Sequence, residues 1–191
     1  MMIATALTTW VWVDEVTLES ALNNFSGLPW RQELLAWPGG IFAMIDFALT
    51  PDALETLYRA ARRMWYKRLI AVFGATGDRD QGKRPLMGEV ATRWCDYVVL
   101  TEDENYSEDG MSIIKDVEQW IDPTLKEKYC VIQDRTQAIE HAVHYAKKWD
   151  IVIITGMANF TTRSMNEWKI PWNEKAVIEE IFSKMKRLKN E

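Results

Sequence analysis

From residue 41 onward, short apolar runs alternate with segments that have the periodicity of an amphipathic helix. The apolar runs lie at 41–49, 68–74, 96–100, 129–133 and 151–156. Apolar runs of this length, bounded by polar turns, are typical of buried strands. Strands separated by helices of ten to fifteen residues indicate βαβ units. The alternation therefore predicts an α/β domain over residues 41–191, with a mostly parallel sheet and helices on both faces.

Local signals place several helix boundaries. Thr50 and Pro51 read as an N-cap followed by proline at the first helical position. Asp134 is predicted to cap a helix over 135–148, and a last helix is expected from Asn173 to Leu188. Residues 157–172 are interpreted as a loop, with a hairpin as an alternative. Residues 1–40 do not follow the alternation and are predicted to form a helical lead-in, or interdomain joint.

In an open parallel sheet, ligands bind beyond the carboxyl ends of the strands. Four predicted loops lie at that edge: 46–52, 74–84, 101–109 and 156–163. We therefore expect any ligand-binding chemistry of this chain to lie in these loops.

The length and net charge of the chain limit the partners that it can have. The chain has 191 residues, enough for about one domain, and its net charge of −5 gives no overall attraction for nucleic acid or anionic lipid. A local basic patch remains compatible with that charge. The apolar start lacks a basic n-region and is too short to span a bilayer. We predict a cytoplasmic protein with neither a nucleic-acid nor a membrane partner.

Cysteine and histidine give no metal signature. Cys95 and Cys130 match no ligand spacing and are predicted to be reduced thiols. His141 and His144 stand at i and i+3 in a helical pattern, where we expect a surface role. The ten tryptophans follow no repeat, and are interpreted as core and rim filling, with an exposed partner surface as the alternative.

The loop at 74–84 reads GATGDRDQGKR and is rich in glycine and cations. Glycine lets a backbone approach a ligand closely, and arginine or lysine binds carboxylate or phosphate. The loop is not a Walker A motif, because Arg84 stands where Ser or Thr is required. A solvated charged loop remains the alternative interpretation, in which Lys83 and Arg84 only anchor the following helix.

Four longer segments resemble one family in order and spacing. These are DFALTPDALETL, VFGATGDRDQGKRPLMGEVA, DYVVLTEDENYSED and IVIITG. They resemble the C-terminal domain of the Mur ligases, most closely the MurE type, whose corresponding motifs are DYAHTPDAL, GDRDxGKRPLMG, DNPR and GKGHE. The segment GLPWRQELL resembles the family's GRME segment, with Arg31 at its arginine. The resemblance covers roughly residues 15–185 and implies a Rossmann-like fold.

The resemblance also implies a function. MurE-type enzymes are ATP-dependent amide ligases that add an amino acid to a UDP-MurNAc-peptide during peptidoglycan precursor synthesis. They form an acyl-phosphate that the incoming amine attacks, with ATP and Mg bound mainly by a central domain. This chain would then be the C-terminal part, not catalytic alone. Its partners would be the central and N-terminal domains, in cis or in trans, or another protein, and an amino acid would be its substrate.

Each candidate site residue is identified from the position that it occupies in these motifs. On the nucleotide side the resemblance implies three residues: Arg31, Asp46 and Lys83. On the amino-acid side it implies a larger set, in which arginine binds the carboxylate of the incoming amino acid: Arg79, Asp103, Glu104, Tyr106 and Gly156. It implies no catalytic residue and no metal ligand within this chain.

The chain departs from the family where the amino acid binds. Leu49 stands where DYAHTP has its histidine. Tyr106 stands where DNPR has its arginine, which binds the distal carboxylate of diaminopimelate in the family. GKGHE reads GMANF, so its glutamate is Phe160. These changes argue against recognition of meso-diaminopimelate, whereas lysine is still allowed if Glu104 pairs with its ammonium.

Two other interpretations stay open. The first is a stand-alone, degenerate Mur-ligase-like domain that acts as a non-catalytic binding module. The second is a general nucleotide- or phosphate-binding Rossmann-like domain, for which the missing GxGxxG argues against dinucleotides. For Asp103 and Glu104, the alternative to a role in binding the amino acid is that they lie in a solvated acidic loop.

Overall fold

A computed structural model describes residues 13–25, 27–37, 39–166 and 168–188. Six α-helices lie in this part: α1 (Glu15–Asn23), α2 (Pro51–Arg62), α3 (Lys83–Trp94), α4 (Gly110–Glu118), α5 (Arg135–Tyr145) and α6 (Glu174–Leu188). The strands are β1 (Glu33–Ala36), β2 (Phe42–Asp46), β3 (Leu69–Phe73), β4 (Tyr97–Leu100), β5 (Tyr129–Val131), β6 (Ile151–Thr155), β7 (Thr162–Met165) and β8 (Trp168–Pro171). A 3-10 helix at Pro123–Lys128 precedes β5.

One six-stranded sheet forms the centre, in the order β1-β2-β6-β3-β4-β5. Strands β2 to β6 are parallel, and β1 pairs antiparallel with β2 at one edge. The sheet is covered on both faces: α2, α3 and α4 contribute to one core, α5 and α6 to the other. The predicted α/β fold is confirmed.

The two cores explain why β3 and β6 are almost entirely apolar. Every residue of these two strands is buried, and the one polar residue among them is Thr155 at the end of β6. Side chains of successive strand residues point to opposite faces, so a strand covered on both sides has no polar face.

The capping predictions hold at both positions. The Thr50 side chain accepts a hydrogen bond from the Ala53 amide, with Pro51 at the first helical position. The Asp134 side chain accepts one from the Gln137 amide. Strand β2 ends three residues earlier than its apolar run, because Asp46 Oδ1 accepts from the Ala48 amide and turns the chain.

The lead-in contains one strand that the sequence did not predict. Helix α1 is present, but residues 33–36 form β1 and join the sheet. Four residues are too few for a periodicity to be read. Residues 157–172 contain the β7–β8 hairpin, as the alternative interpretation expected. Trp10, Trp12 and Pro38 lie outside the described residues.

The thiols and tryptophans are distributed as follows. Cys95 is buried, Cys130 is half-buried, and both are free. Trp37 is buried in the core, whereas five of the tryptophans that the structure describes are exposed: Trp30, Trp65, Trp120, Trp149 and Trp168. Over the described ranges, no helix is long and apolar enough to cross a membrane, and no group of three or more His, Cys, Asp or Glu side chains is placed to hold a metal ion.

Candidate functional site

The loops 74–84 and 101–109 lie in direct backbone contact at the carboxyl edge of the sheet. The Gly77 amide donates to the Glu104 carbonyl at 2.7 Å. A Cβ on Gly77 would lie 1.9 Å from the Asn105 carbonyl oxygen, and one on Gly74 would lie 2.3 Å from the Thr101 oxygen. Both distances are far below van der Waals contact, so glycine is what allows the two loops to meet.

Charged side chains then fasten the two loops. Asp78 accepts hydrogen bonds from the Ser107 amide and hydroxyl at 3.1 and 2.7 Å. Arg84 is fully buried, and its guanidinium donates to both carboxylate oxygens of Glu108 and to Asp116. Arg84 therefore anchors the loops rather than facing a ligand.

This ion pair predicts an acid-dependent loss of stability. The hydrogen bonds from Arg84 hold the pKa of Glu108 at about 2, below its ordinary 4.5. A carboxyl whose pKa is lowered by folding stabilises the protein above pH 4.5, and that contribution is lost as the pH falls towards 2. We expect the urea midpoint of Glu108→Gln to fall less over this interval than that of the unaltered chain. Parallel curves would contradict the assignment, and Glu127→Gln, at an exposed glutamate, is the control.

The three nucleotide-side residues lie at the ends of β1 and β2 and at the start of α3. Asp46 is mostly buried, and its Oδ2 accepts from the Gln32 amide at 3.0 Å. Burial raises the pKa of this carboxyl. The Lys83 ammonium donates to the Leu49 carbonyl at 3.0 Å. Arg31 is exposed, with its guanidinium 5.1 Å from the Phe47 ring centre.

A cleft of about 400 Å³ lies next to Arg31. Its wall includes Leu28, Glu33 and Lys175, and Lys175 donates to Glu33 at 2.8 Å. Asp46 and the half-exposed Lys83 bond to backbone groups, so among the three predicted nucleotide-side residues Arg31 is the most exposed.

On the amino-acid side, Arg79 is the exposed cation. Its guanidinium lies 5.2 Å from the Tyr106 ring centre and donates to the Asp78 carbonyl at 3.0 Å. The Tyr106 hydroxyl in turn donates to Glu104 at 2.9 Å, and this bond raises the pKa of the tyrosine. Tyr106 therefore links Arg79 to Glu104.

Asp103 and Glu104 are buried, so their interpretation as a solvated acidic loop is wrong. Their exposed fractions are 1% and 4%. Both Glu104 oxygens accept hydrogen bonds, one from Tyr106 and one from the Ser164 amide at 3.1 Å. Asp103 Oδ1 accepts from the Glu104 amide, whereas Oδ2 has no partner among the described residues. Burial raises the pKa of Asp103.

Gly156 lies against that unpartnered oxygen. Its φ is +109°, a conformation that favours glycine. A Cβ there would lie 2.3 Å from Asp103 Oδ2. The glycine thus keeps β6 and the acidic loop in contact. Beside it, Leu49 replaces the motif histidine, and the Phe160 ring lies 5.9 Å from Phe47.

Sequence reasoning missed three buried charges beneath these loops. Arg135 donates to Glu174 at 2.6 Å and to the Thr155 carbonyl at 2.7 Å, with both side chains of the pair fully buried. Arg163 donates to the Asp103 carbonyl at 3.1 Å and lies over the Trp172 ring. The one sequence signal for Arg135 was its position directly after Asp134, the predicted helix cap that follows β5. Nothing in the local pattern indicated Glu174 or Arg163.

The chain resembles known proteins over most of its length. The family model "Mur ligase, glutamate ligase domain" matches residues 30–158. The UDP-N-acetylmuramoyl-L-alanyl-D-glutamate–2,6-diaminopimelate ligase of Syntrophomonas wolfei is 37% identical over 89% of the chain and 35% of its own length. The ligase of the same name from Clostridioides difficile is 40% identical over 87% of the chain and 34% of its own length. The chain thus spans about a third of these relatives.

Solved structures show the same fold. A structure of a UDP-N-acetylmuramoyl-L-alanyl-D-glutamate–2,6-diaminopimelate ligase matches with a TM-score of 0.78 and 29% identity, over 94% of the chain and 37% of that structure. The UDP-N-acetylmuramate–alanine ligase of Thermotoga maritima matches with a TM-score of 0.65 and 16% identity, over 95% of the chain and 36% of that structure. With the family model matching residues 30–158, this chain belongs to the Mur ligase family, and MurE-type ligases are among its similar relatives.

Proposed function

We propose that this chain acts as the C-terminal part of a MurE-type, ATP-dependent amide ligase of peptidoglycan precursor synthesis. In this proposal it holds the amino acid to be added and is not catalytic alone. The exposed guanidinium of Arg79, fixed at the carboxyl edge by the loop contacts around Gly77 and Asp78, is the observation that carries the proposal. Residues 1–40 would serve as the joint to a central domain, with β1 as part of the sheet.

Arg79 suits the carboxylate of an amino acid. A guanidinium is planar and donates two parallel hydrogen bonds to a carboxylate, which fixes the orientation of the ligand as well as its position. The Tyr106 ring beside it restricts the guanidinium without neutralising it. The bound amine would then point towards the face where the rest of the ligase supplies the activated carboxyl group.

The same contacts limit which amino acid fits. Tyr106 offers no charge to a second carboxylate, which argues against meso-diaminopimelate, the amino acid in the names of the relatives. Glu104 was the expected partner for a lysine ammonium, but both of its oxygens already accept hydrogen bonds. We therefore propose an acceptor with one carboxylate, for which lysine is the first probe.

ATP and magnesium are part of the proposal only through the assembled ligase. In the part of the chain that the structure describes, no acidic or histidine cluster fits a magnesium ion, so no step is assigned to one here. Arg31 is suited to contact a nucleotide phosphate beside the cleft. When bound, ATP would supply the phosphoryl group that activates the carboxyl substrate. A central domain, in cis or in trans, would bind most of it.

Substitution of Arg79 tests this proposal. We expect Arg79→Ala to weaken lysine binding in a calorimetric titration by roughly tenfold or more, because it removes a charge-assisted bidentate contact. Arg79→Lys should recover part of the affinity, since it keeps the charge but loses the fork. The urea midpoint should not change, because Arg79 is exposed.

Arg93→Ala is the matched control, since Arg93 is an exposed arginine on α3 that pairs with Glu89. Equal lysine affinity in all variants would contradict the role of Arg79. Unfolding of Arg79→Ala would show a structural role instead. Heat from no amino acid at all would favour the second candidate, a non-catalytic binding module, which the internal pairing of Glu104 already favours.

A further inference from the structure

The amino edge of the sheet, opposite the site described above, carries an exposed group of aromatic and cationic side chains. It is made by the loops that precede β3 and β6. We name it the basal patch, and its members are Met64, Trp65, Lys67, Lys147, Lys148 and Trp149. The exposed fractions of Trp65 and Trp149 are 58% and 40%.

The two tryptophan rings of the basal patch pack against each other and against Phe42 at the start of β2. The Trp65 and Trp149 ring centres are 5.6 Å apart at an interplanar angle of 79°, and the Phe42 ring centre lies 4.8 Å from that of Trp65 and 6.4 Å from that of Trp149. Trp149 has a φ of 75°. That conformation is costly for a bulky residue and persists only where the surroundings impose it. The Trp149 ring is therefore held at the surface on a strained backbone.

The charge at this edge is opposite to that of the whole molecule. Lys67, Lys147 and Lys148 are exposed, and none pairs with an acidic residue in the ranges that the structure covers. Asp150, the acid nearest in sequence, is buried and paired with Arg68. Charges more than about 8 Å away are largely screened at physiological salt. A net charge of −5 therefore does not prevent a local anionic partner.

The geometry points to an anionic lipid surface as that partner: we propose that the basal patch attaches this chain peripherally to membranes with negatively charged headgroups. Tryptophan rings are favoured at the level of the headgroups, and lysines add attraction to anionic lipid. An apolar contact and a basic patch add to each other at such a surface, as a lipid chain and a polybasic segment do in lipidated proteins.

Two features of the basal patch disfavour other anionic partners. Single-stranded nucleic acid stacks its bases on free aromatic faces. Here Lys148 lies 5.2 Å from the Trp149 ring centre, and the stacked Phe42 ring also faces Trp149. An acidic peptide that adds as a β-strand would need free backbone groups, but the loop backbones already bond one another: the Lys67 amide donates to the Trp149 carbonyl, and the Trp149 amide donates to the Gly40 carbonyl.

Vesicle co-sedimentation of the full chain tests the proposal. We expect binding to vesicles of mixed phosphatidylglycerol and phosphatidylcholine, little binding to phosphatidylcholine alone, and loss of binding at high salt. Reversal of three charges, with Lys67→Glu, Lys147→Glu and Lys148→Glu, should weaken binding by roughly a hundredfold. Trp149→Gly should weaken it without unfolding, because glycine adopts a positive φ freely.

Matched controls separate the basal patch from net charge. The triple variant Lys126→Glu, Lys169→Glu and Lys186→Glu changes the same charge at exposed lysines elsewhere. Trp168→Ala removes another exposed tryptophan. Both should bind like the unaltered chain. The proposal is overturned if vesicles do not bind, if the control variants lose as much affinity, or if a single-stranded oligonucleotide or a polyglutamate peptide binds at the patch and vesicles do not.

Discussion

Arg135→Ala is expected to destabilise the chain by about 3–5 kcal/mol, because it leaves the buried Glu174 carboxylate without its counter-charge. Both side chains of this pair are fully buried, and Arg135 also donates to the backbone carbonyls of Glu102 and Thr155. The substitution therefore removes the ion pair and also the hydrogen bonds that connect α5 to β6 and to the 101–109 loop. Urea unfolding measures the change in the free energy of unfolding.

A double replacement separates the ion pair from general packing. Arg135→Met with Glu174→Met removes both charges and should recover most of the lost stability, since apolar side chains of similar size can replace a buried pair. Lys184→Ala is the control at an exposed pair with Glu180, and should cost less than about 1 kcal/mol. If Arg135→Ala and the double variant lost the same free energy of unfolding, the unpaired charge of Glu174 would not be the cause of the loss.

Gly77→Ala is the second substitution with a large expected effect. Its Cβ would lie 1.9 Å from the Asn105 carbonyl oxygen, so the loops 74–84 and 101–109 must separate. Overpacking of this kind costs about 1–3 kcal/mol. Because Arg79 and Tyr106 lie on these two loops, we also expect weaker amino-acid binding. Urea unfolding and calorimetry measure the two effects.

Gly82 provides the matched position in the same loop. A Cβ there would lie 3.2 Å from the Asp80 side chain, which has room to adjust. Gly82→Ala should therefore change stability by less than about 0.5 kcal/mol. If both variants were equally stable, the close approach of the loops would not be a requirement of the fold.

Much of the fold followed from sequence because its elements are locally encoded. The buried parallel strands β3 and β6 are apolar except for Thr155 at the end of β6, and Thr50 and Asp134 mark helix starts through their own side chains. Strand β1 was missed because its place in the sheet depends on pairing with β2, which a four-residue segment does not reveal.

The position of the candidate residues at the sheet edge followed from the sequence, whereas their contacts did not. The resemblance of the motifs led to Arg79 and Gly156, and the structure places both at the carboxyl edge as expected for such loops. The burial of Glu104 was not predictable, because it depends on Tyr106 and on Ser164 from the distant β7 strand. The Arg135–Glu174 pair joins residues 39 positions apart, beyond the reach of any local pattern.

Calorimetric titration with lysine and with meso-diaminopimelate, of the unaltered protein and of Arg79→Ala side by side, measures whether Arg79 binds the carboxylate of an amino acid. An acceptor site built around one carboxylate predicts heat from lysine, less from meso-diaminopimelate, and loss of both in Arg79→Ala. Tight binding of meso-diaminopimelate, or lysine binding that Arg79→Ala leaves unchanged, would contradict the account.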